Sequence, residues 1–416
     1  MAPNVSYREV FGVREFRAIW LAEGQSVVGD QLARVALSVL VFSDTGSAAL
    51  TALAYALTFV PSLLGGIALT RLADRVPRRE LMAWIDGLRG ALILPVAIPA
   101  TPFWTCCVLV GAVSLLQPVF KAAQLALLPE VLGEERYLTG LAIRSVTNQF
   151  FQMVGFAGGG LLIALLNAHL VLVLDGFSFF VSALLIRLLL TRRPAADRPA
   201  EDLPDRRSSS RASMGQSWGL LFGERQTRVL VLMLWLMALV TVYEGLAVPY
   251  AAVLGEGSVT AGLILAADPL GSIVGAMVFS RWVPEPWRRR LLGPLVVAAA
   301  VPVAICLLRP GLLLSVVLFV LAGALGTSVV MQTTAAITFR IPDSRRGTIL
   351  GLSNAGLTTV TGLSPLLAGV IADHTDAVQT VGWFGLAGVL AAIPLAVMWH
   401  RSGNISRVSS DSPLQS

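Results

Sequence analysis

Long apolar runs alternate with short polar links along this chain, and the runs have the length of a membrane crossing. Twelve can be drawn, at about 18–42, 48–70, 81–100, 103–127, 138–163, 169–190, 228–251, 259–281, 291–308, 311–338, 347–371 and 378–399. Each is near the ~20 residues an α-helix needs to cross a ~30 Å hydrocarbon core. Each therefore predicts one helix, since a helix satisfies its own backbone hydrogen bonds where no water is present. Thr101 and Pro102 separate the third run from the fourth. Between the sixth and seventh lies TRRPAADRPAEDLPDRRSSSRASMGQ, whose Arg, Pro and Ser content predicts a disordered linker. The expected division is a six-helix half over 1–191, a linker over 192–226, a second six-helix half over 227–400 and a disordered polar tail over 401–416. The first run carries Glu23, Asp30 and Arg34 and is too long and too charged for a cleaved signal segment, so it is expected to remain as a membrane helix. The fold class expected is an all-α membrane protein of twelve transmembrane helices in two six-helix pseudo-repeats.

Composition agrees. The 416 residues are 55% hydrophobic and 13% charged, about half the ~25% charged share of soluble domains, and the mean hydropathy is +0.75. The net charge of +6 is not spread evenly. Alternate links hold Arg71 to Arg79, Arg136, the Arg-rich linker, Arg281 with Arg288 to Arg290, and Arg340 with Arg345 and Arg346. The opposite links hold one arginine, Arg309. This is the positive-inside bias, which predicts both termini in the cytoplasm of a plasma-membrane protein. The basic charge thus orients helices, and a nucleic-acid partner is not expected. Lys121 is the sole lysine, in VFKAAQ, so no Walker A loop exists and the chain is not itself an ATP-driven pump. Cys106, Cys107 and Cys306 have no metal or disulfide spacing, and His169, His374 and His400 sit at helix ends without partner ligands. No enzyme, metal or cofactor is expected.

The halves resemble each other weakly: a shift of 210 residues lays Arg71 on Arg281 and the pair Arg78 and Arg79 on Arg288 and Arg289, although Asp74 falls on Pro284. Such repeats build many secondary transporters. The second link, TRLADRVPRRE, resembles motif A of the major facilitator superfamily, G-x-L-x-D-R-x-G-R-R. Leu72, Asp74, Arg75, Arg78 and Arg79 match, while Thr70 and Pro77 stand where the motif has glycines. Residues 24–90 are also similar to the macrolide- and siderophore-exporter branch, as are ALLPEVLGEERYLTGLAIRS and LDGFSFFVSALL. The G-P-x-x-G-G signature of drug–proton antiporters appears only as GFAGGG, with Phe156 in place of its proline; Pro365 stands in the eleventh run instead. In physical terms, Asp74 at a helix end can accept hydrogen bonds from Arg75, Arg78 and Arg79 and from a helix N-terminus, contacts that one conformation makes and another breaks. The cluster is thus a conformational latch, or a topology anchor only.

Ionisable groups inside the runs cost roughly 2.5–3.5 kcal/mol each on insertion scales and need a reason. Glu23, Asp30 and Arg34 fall at i, i+7 and i+11 on one face of the first helix, continued by Ser38. Asp30 and Arg34 are spaced to pair with each other, as a structural ion pair or as a cavity pair. Glu244 and Asp268 have no cation close in sequence, and a carboxylate so placed is suited to carry a proton. Pro269 is expected to loosen the helix beside Asp268. Glu244, Asp268 and Asp30 are therefore the candidates for proton coupling. Gln117 shares a face with Ser114, Lys121 and Gln124; Asn148 with Arg144 and Gln152. Gln332 adjoins a line of Thr327, Met331, Thr334 and Thr338. The resemblance implies a central cavity lined by the first, fourth, seventh and tenth helices, so Glu23, Arg34, Gln117, Asn148 and Gln332 are candidate lining residues. Interhelical hydrogen bonding is the plainer alternative for such stripes. The expected function is proton-coupled efflux of a small amphipathic compound (a drug, antibiotic or siderophore-like metabolite) by an antiporter conferring multidrug resistance. The expected partners are that substrate, protons and the bilayer, with the protein a monomer. The alternatives are an uptake carrier and a non-transporting membrane scaffold or sensor.

Overall fold

The computed structural model describes residues 5–69, 72, 76–193, 219, 221–341 and 343–408. Among them the chain is helical, with no strand. In order the helices are α1 (Tyr7–Gly12), α2 (Arg14–Thr45), α3 (Ala48–Ala56), α4 (Val60–Ala68), α5 (Arg78–Ile93), α6 (Phe103–Leu165), α7 (Ala168–Leu189), α8 (Arg225–Val240), α9 (Ala247–Val253), α10 (Ser258–Trp282), α11 (Glu285–Ala304), α12 (Leu312–Arg340), α13 (Asp343–His374) and α14 (Ala377–Val408). Starts follow local chemistry. Ser6 and Glu9 cap α1 reciprocally, the Ser47 hydroxyl accepts the Leu50 N–H at 3.1 Å, and the Asn167 side chain accepts the Leu170 N–H at 2.9 Å.

Among the described residues, ten helical segments are long and apolar enough to cross a membrane. The 63-residue α6 holds two of the twelve crossings, because Gly133 at φ 68° and ψ 170° breaks its geometry. The remaining crossing is α5 with the 3₁₀ turn Leu94–Ala97, which Arg78, Arg79, Glu80, Asp86 and Arg89 make more polar than the rest.

The structure departs from expectation in four places. The link foreseen around Arg136 is helical on both sides of Gly133. The run at 228–251 breaks at the 3₁₀ turn Thr241–Glu244, before α9, whereas α10 continues through Pro269 without interruption. The last helix extends to Val408, past the expected start of a disordered tail. The linker expectation falls on residues outside those described, apart from its two ends.

The chain forms two compact units. One takes Met1–Arg198, Glu244–Pro269 and Pro365–Ala377; the other takes Pro199–Tyr243, Leu270–Ser364 and Val378–Ser416. In the first, Ile19, Met82, Val119, Phe120, Leu127 and Ile186 form a buried cluster. In lipid, helices associate through close packing of small residues rather than through a hydrophobic driving force. The GFAGGG segment serves this purpose. A Cβ added to Gly155 would lie 2.8 Å from the Val28 carbonyl oxygen, and one on Gly159 3.3 Å from the Leu32 Cα, so this stretch of α6 lies directly against α2. In the second unit, Gly271 and Gly275 of α10 pack on Val320 and Ala324 of α12, and the Tyr243 ring stacks on Phe319 with centroids 4.1 Å apart.

The buried polar groups divide unevenly. Among the described residues, those of the second unit are all hydroxyls, such as Ser272, Ser328 and Thr333, whereas the first unit buries Asp86, Arg89, Arg144 and Asp175 as well. The charged interior is in the first unit.

Candidate functional site

The charged face of α2 organises that interior. Glu23, Asp30 and Arg34 point from one helix to three different sets of partners. Glu23 accepts two hydrogen bonds from Arg144, at 2.6 and 2.7 Å, and Arg144 also donates to the Gln124 side chain at 2.9 Å. This two-pronged geometry suits a guanidinium to a carboxylate, and both groups are largely removed from solvent.

Seven residues further along, Asp30 accepts from Arg89 at 2.7 Å and from Gln117 at 3.1 Å. The predicted pair of Asp30 with Arg34 is not formed. Arg89 reaches Asp30 from α5, only 2% exposed, with its guanidinium 4.1 Å from the Phe179 ring centroid. It also lies 3.5 Å from Asp86, one turn before it on the same helix, and Asp86 is fully buried and accepts from the Ser182 hydroxyl at 2.6 Å. One arginine therefore serves carboxylates on two helices. Asp175 of α7, 1% exposed, stands close by against Gly29.

Arg34 turns elsewhere. It donates to Gln31 at 3.1 Å and sits over the rings of Phe59, at 4.7 Å, and Tyr55, at 6.0 Å. The Tyr55 hydroxyl donates to Glu244, and Arg34 and Asp268 are both electrostatic neighbours of Glu244. Glu244 owes its position to the break after α8. A Cβ on Gly245 would lie 2.4 Å from Pro365, so the chain turns there against α13. The sequence halves thus meet within one compact unit.

A small, partly open cavity lies among Asp30, Arg34, Arg89, Gln117 and Asp175, walled by aliphatic side chains such as Leu37, Val113 and Leu172. Its lining combines acids, bases and amides with apolar surface, as small-molecule sites do.

The other sequence candidates are distributed as follows. Asn148 accepts from Gln152 of its own helix at 2.7 Å. Gln332 lies in the second unit, partly buried on α12. Of the motif-A residues, Asp74 and Arg75 fall outside the described residues. Arg78 donates to Glu130 and, at 3.1 Å, to the Ala126 carbonyl, and Arg79 donates to the Arg187 carbonyl. Arg193 joins the same end of the unit to Glu15 at 2.6 Å.

Asp86, Arg89, Asp175 and Tyr55 escaped the sequence reading. For the first three the signal was present: each is an ionisable group inside an apolar run, the criterion that selected Asp30. Tyr55 carried no such signal, since a lone tyrosine near a helix middle is ordinary.

The sequence profile of the Major Facilitator Superfamily matches residues 19–313 and 245–412. The uncharacterized MFS-type transporter YjbB of Bacillus subtilis (strain 168) is 24% identical over 371 residues, 86% of this chain and 89% of that protein. The uncharacterized MFS-type transporter YfmI of the same organism is 24% identical over 203 residues, so that the match spans about half of each, 46% and 47%. Among solved structures, a bacterial homolog of the human lysosomal transporter Spinster, in an inward-facing and occupied conformation, superposes with a TM-score of 0.71 at 14% identity, covering 94% of this chain and 96% of that one. The nucleoside transporter NupG superposes with a TM-score of 0.72 at 11% identity, covering 93% and 99%. At such identities the likeness is one of fold.

Proposed function

The chain belongs to the Major Facilitator Superfamily and is a multi-pass membrane protein, a secondary transporter and not an enzyme; on that basis we propose that it exports a small amphipathic compound across the plasma membrane in exchange for protons. The observation that carries this reading is the ionic network along α2, around a cavity with both charged and apolar walls. Each such charge costs roughly 3 kcal/mol to hold in hydrocarbon, and a scaffold needing only a packed interior would be more stable with aliphatic side chains in their place. Alternating access between six-helix halves, both termini in the cytoplasm and a monomeric state complete the proposal, by analogy with the architecture of secondary transporters. The test is a resistance profile. Cells overexpressing the protein should tolerate at least one amphipathic compound severalfold better than cells lacking it, and a protonophore should erase the difference. Tolerance that survives the protonophore would remove proton coupling. Greater sensitivity on overexpression, with raised intracellular compound, would favour uptake.

The latch belongs to the same proposal. The Arg78–Glu130 pair is partly exposed, with side chains 20% and 39% accessible, so it contributes under about 1 kcal/mol to stability. Its role would be to hold α5 to α6 in one conformation. Glu130→Gln is expected to leave membrane abundance unchanged and to slow transport severalfold in vesicles. Wild-type rates would reduce the cluster to a topology anchor.

A further inference from the structure

At the arginine-poor end of the first unit, early and late parts of the chain meet in a contact that neither the cavity nor the coupling acids use. Asp373, the penultimate residue of α13, accepts from the Ala48 N–H at 2.6 Å, the Ala49 N–H at 3.3 Å and the Ser47 hydroxyl at 2.8 Å. Ala48 and Ala49 open α3, so their amides have no partner within their own helix. Leu50, next in that turn, donates to Ser47. A carboxylate 326 residues beyond Ser47 thus completes the cap of α3.

The place of Asp373 in its own helix gives no other reason for it. In the last turn of α13 an acid faces the negative end of the helix dipole, where a base would be favoured, and only the positive end of α3 compensates. The side chain is exposed. Water therefore takes over its hydrogen bonds when the two helices separate, and the contact breaks without stranding a buried charge. Around it the helices are flush: a Cβ on Gly369 would lie 2.8 Å from both the Ala48 carbonyl oxygen and the Ala52 Cβ. A second seam closes the same end. The Ser258 hydroxyl, at the start of α10, donates to the Gly160 carbonyl of α6 at 3.0 Å, and a Cβ on Gly262 would lie 2.7 Å from the Phe156 carbonyl oxygen. Both seams lie within the first compact unit.

We propose that Asp373 is a latch on the non-cytoplasmic side, shutting the cavity from outside while it caps α3 and letting go when the cavity opens there. The side follows from the links at this end, SDTGS, LNAH, LGEGS and DHTDA, which hold no arginine. An acid at a helix end set against a helix N-terminus is the arrangement expected of Asp74; Asp373 makes it at the opposite end of the crossing that α3 and α4 form. The proposal rests on the transport reading, because only a protein that opens its cavity to each side in turn needs this contact to part.

The test uses the full-length protein in intact cells, with Cys106→Ser, Cys107→Ser and Cys306→Ser, and with Thr58→Cys as the sole thiol. Thr58 lines the cavity, deeper in the crossing that begins at Ser47. A membrane-impermeant maleimide is added outside, and its labelling rate is normalised to that of the denatured protein. Asp373→Ala is expected to raise the rate about tenfold, the value of one charge-assisted hydrogen bond. Asp373→Asn, which keeps an acceptor without the charge, should raise it less. Gly369→Val wedges the same helices apart with the acid in place, and should raise it too. An unchanged rate in Asp373→Ala would make the contact a static cap and overturn the proposal. If Asp373→Ala does not reach the membrane, the other two variants decide, and the wild-type rate in both would overturn it equally. Labelling needs neither substrate nor gradient. A static cap therefore leaves the transport reading standing, and absence of export from cells whose Thr58→Cys labelling does respond counts against the transport reading alone.

Discussion

Arg89→Met should remove most of the protein from the membrane. Arg89 is the cation shared by Asp30, at 2.7 Å, and Asp86, at 3.5 Å, and both it and Asp86 are almost wholly buried. Methionine keeps the bulk against the Phe179 ring but leaves two carboxylates without their counter-charge. Breaking a buried pair by removing one partner costs about 3–5 kcal/mol, a large part of the 5–15 kcal/mol that holds a typical domain together. Abundance after mild solubilisation, with the melting temperature of what remains, measures the effect. Asp30→Asn alone should be milder, because the arginine keeps Asp86 and an asparagine still accepts from Gln117. Adding Asp30→Asn to Arg89→Met should restore part of the abundance, since only one orphan carboxylate is then left. Transport separates the roles of the network. If it only holds helices together, activity returns with abundance; if it exchanges partners during the cycle, the double variant stays inactive at recovered abundance. Wild-type abundance and transport in Arg89→Met would mean that these side chains are hydrated independently and form no network.

That experiment concerns a pair the sequence did not reveal. Asp30 and Arg34 stand at i, i+4, a spacing that permits a pair on one helix face but does not require it. Arg89, fifty-nine residues away, offers more, because it neutralises Asp86 in the same contact, and Arg34 is then free to cover Phe59 and Tyr55. Sequence spacing defines which groups share a face of one helix. It does not define which face of another helix arrives there. The same limit explains the helix breaks. Pro269 had the local signature of a break, yet α10 passes through it, whereas the apolar run at 228–251 breaks at the 3₁₀ turn Thr241–Glu244, next to which Gly245 lies against Pro365, remote in sequence. The link PEVLGEERYLTG looked like a loop by polarity, but its Glu, Arg and Leu residues are good helix formers, and only Gly133 departs from helical geometry. Membrane crossings, by contrast, were legible, since spanning length and low charge are properties of each segment alone.

Glu244→Gln should abolish gradient-driven export while sparing downhill exchange of substrate. The Tyr55 hydroxyl donates to Glu244, Asp268 and Arg34 are its electrostatic neighbours, and Arg34 belongs to the same face of α2 as Asp30. A proton taken up or released at Glu244 changes the charge that Arg34 faces, and Arg34 lines the cavity; this gives coupling a physical path from acid to site. Glutamine keeps the size of the side chain and an oxygen for the Tyr55 hydroxyl, so the fold should tolerate it, but it does not titrate. Uphill movement needs the titrating group, and exchange down a gradient does not. Tyr55→Phe is the complementary change: it leaves the acid in place and removes one hydrogen bond, with a net stability contribution of about 1 kcal/mol, so it should shift the pH dependence of export rather than eliminate export. Proteoliposomes with an imposed proton gradient, assayed with and without a protonophore, distinguish these outcomes. Asp268→Asn and Asp30→Asn belong in the same series, because a proton can reside on any of three acids joined through Arg34 and α2. If all three variants still pump uphill, coupling does not pass through these carboxylates, and Asp86 and Asp175 become the acids to replace next. If Glu244→Gln alone fails, the proton site is at the break in the seventh crossing, where Gly245 turns the chain against Pro365 and exposes a carboxylate to a tyrosine from the opposite half of the sequence.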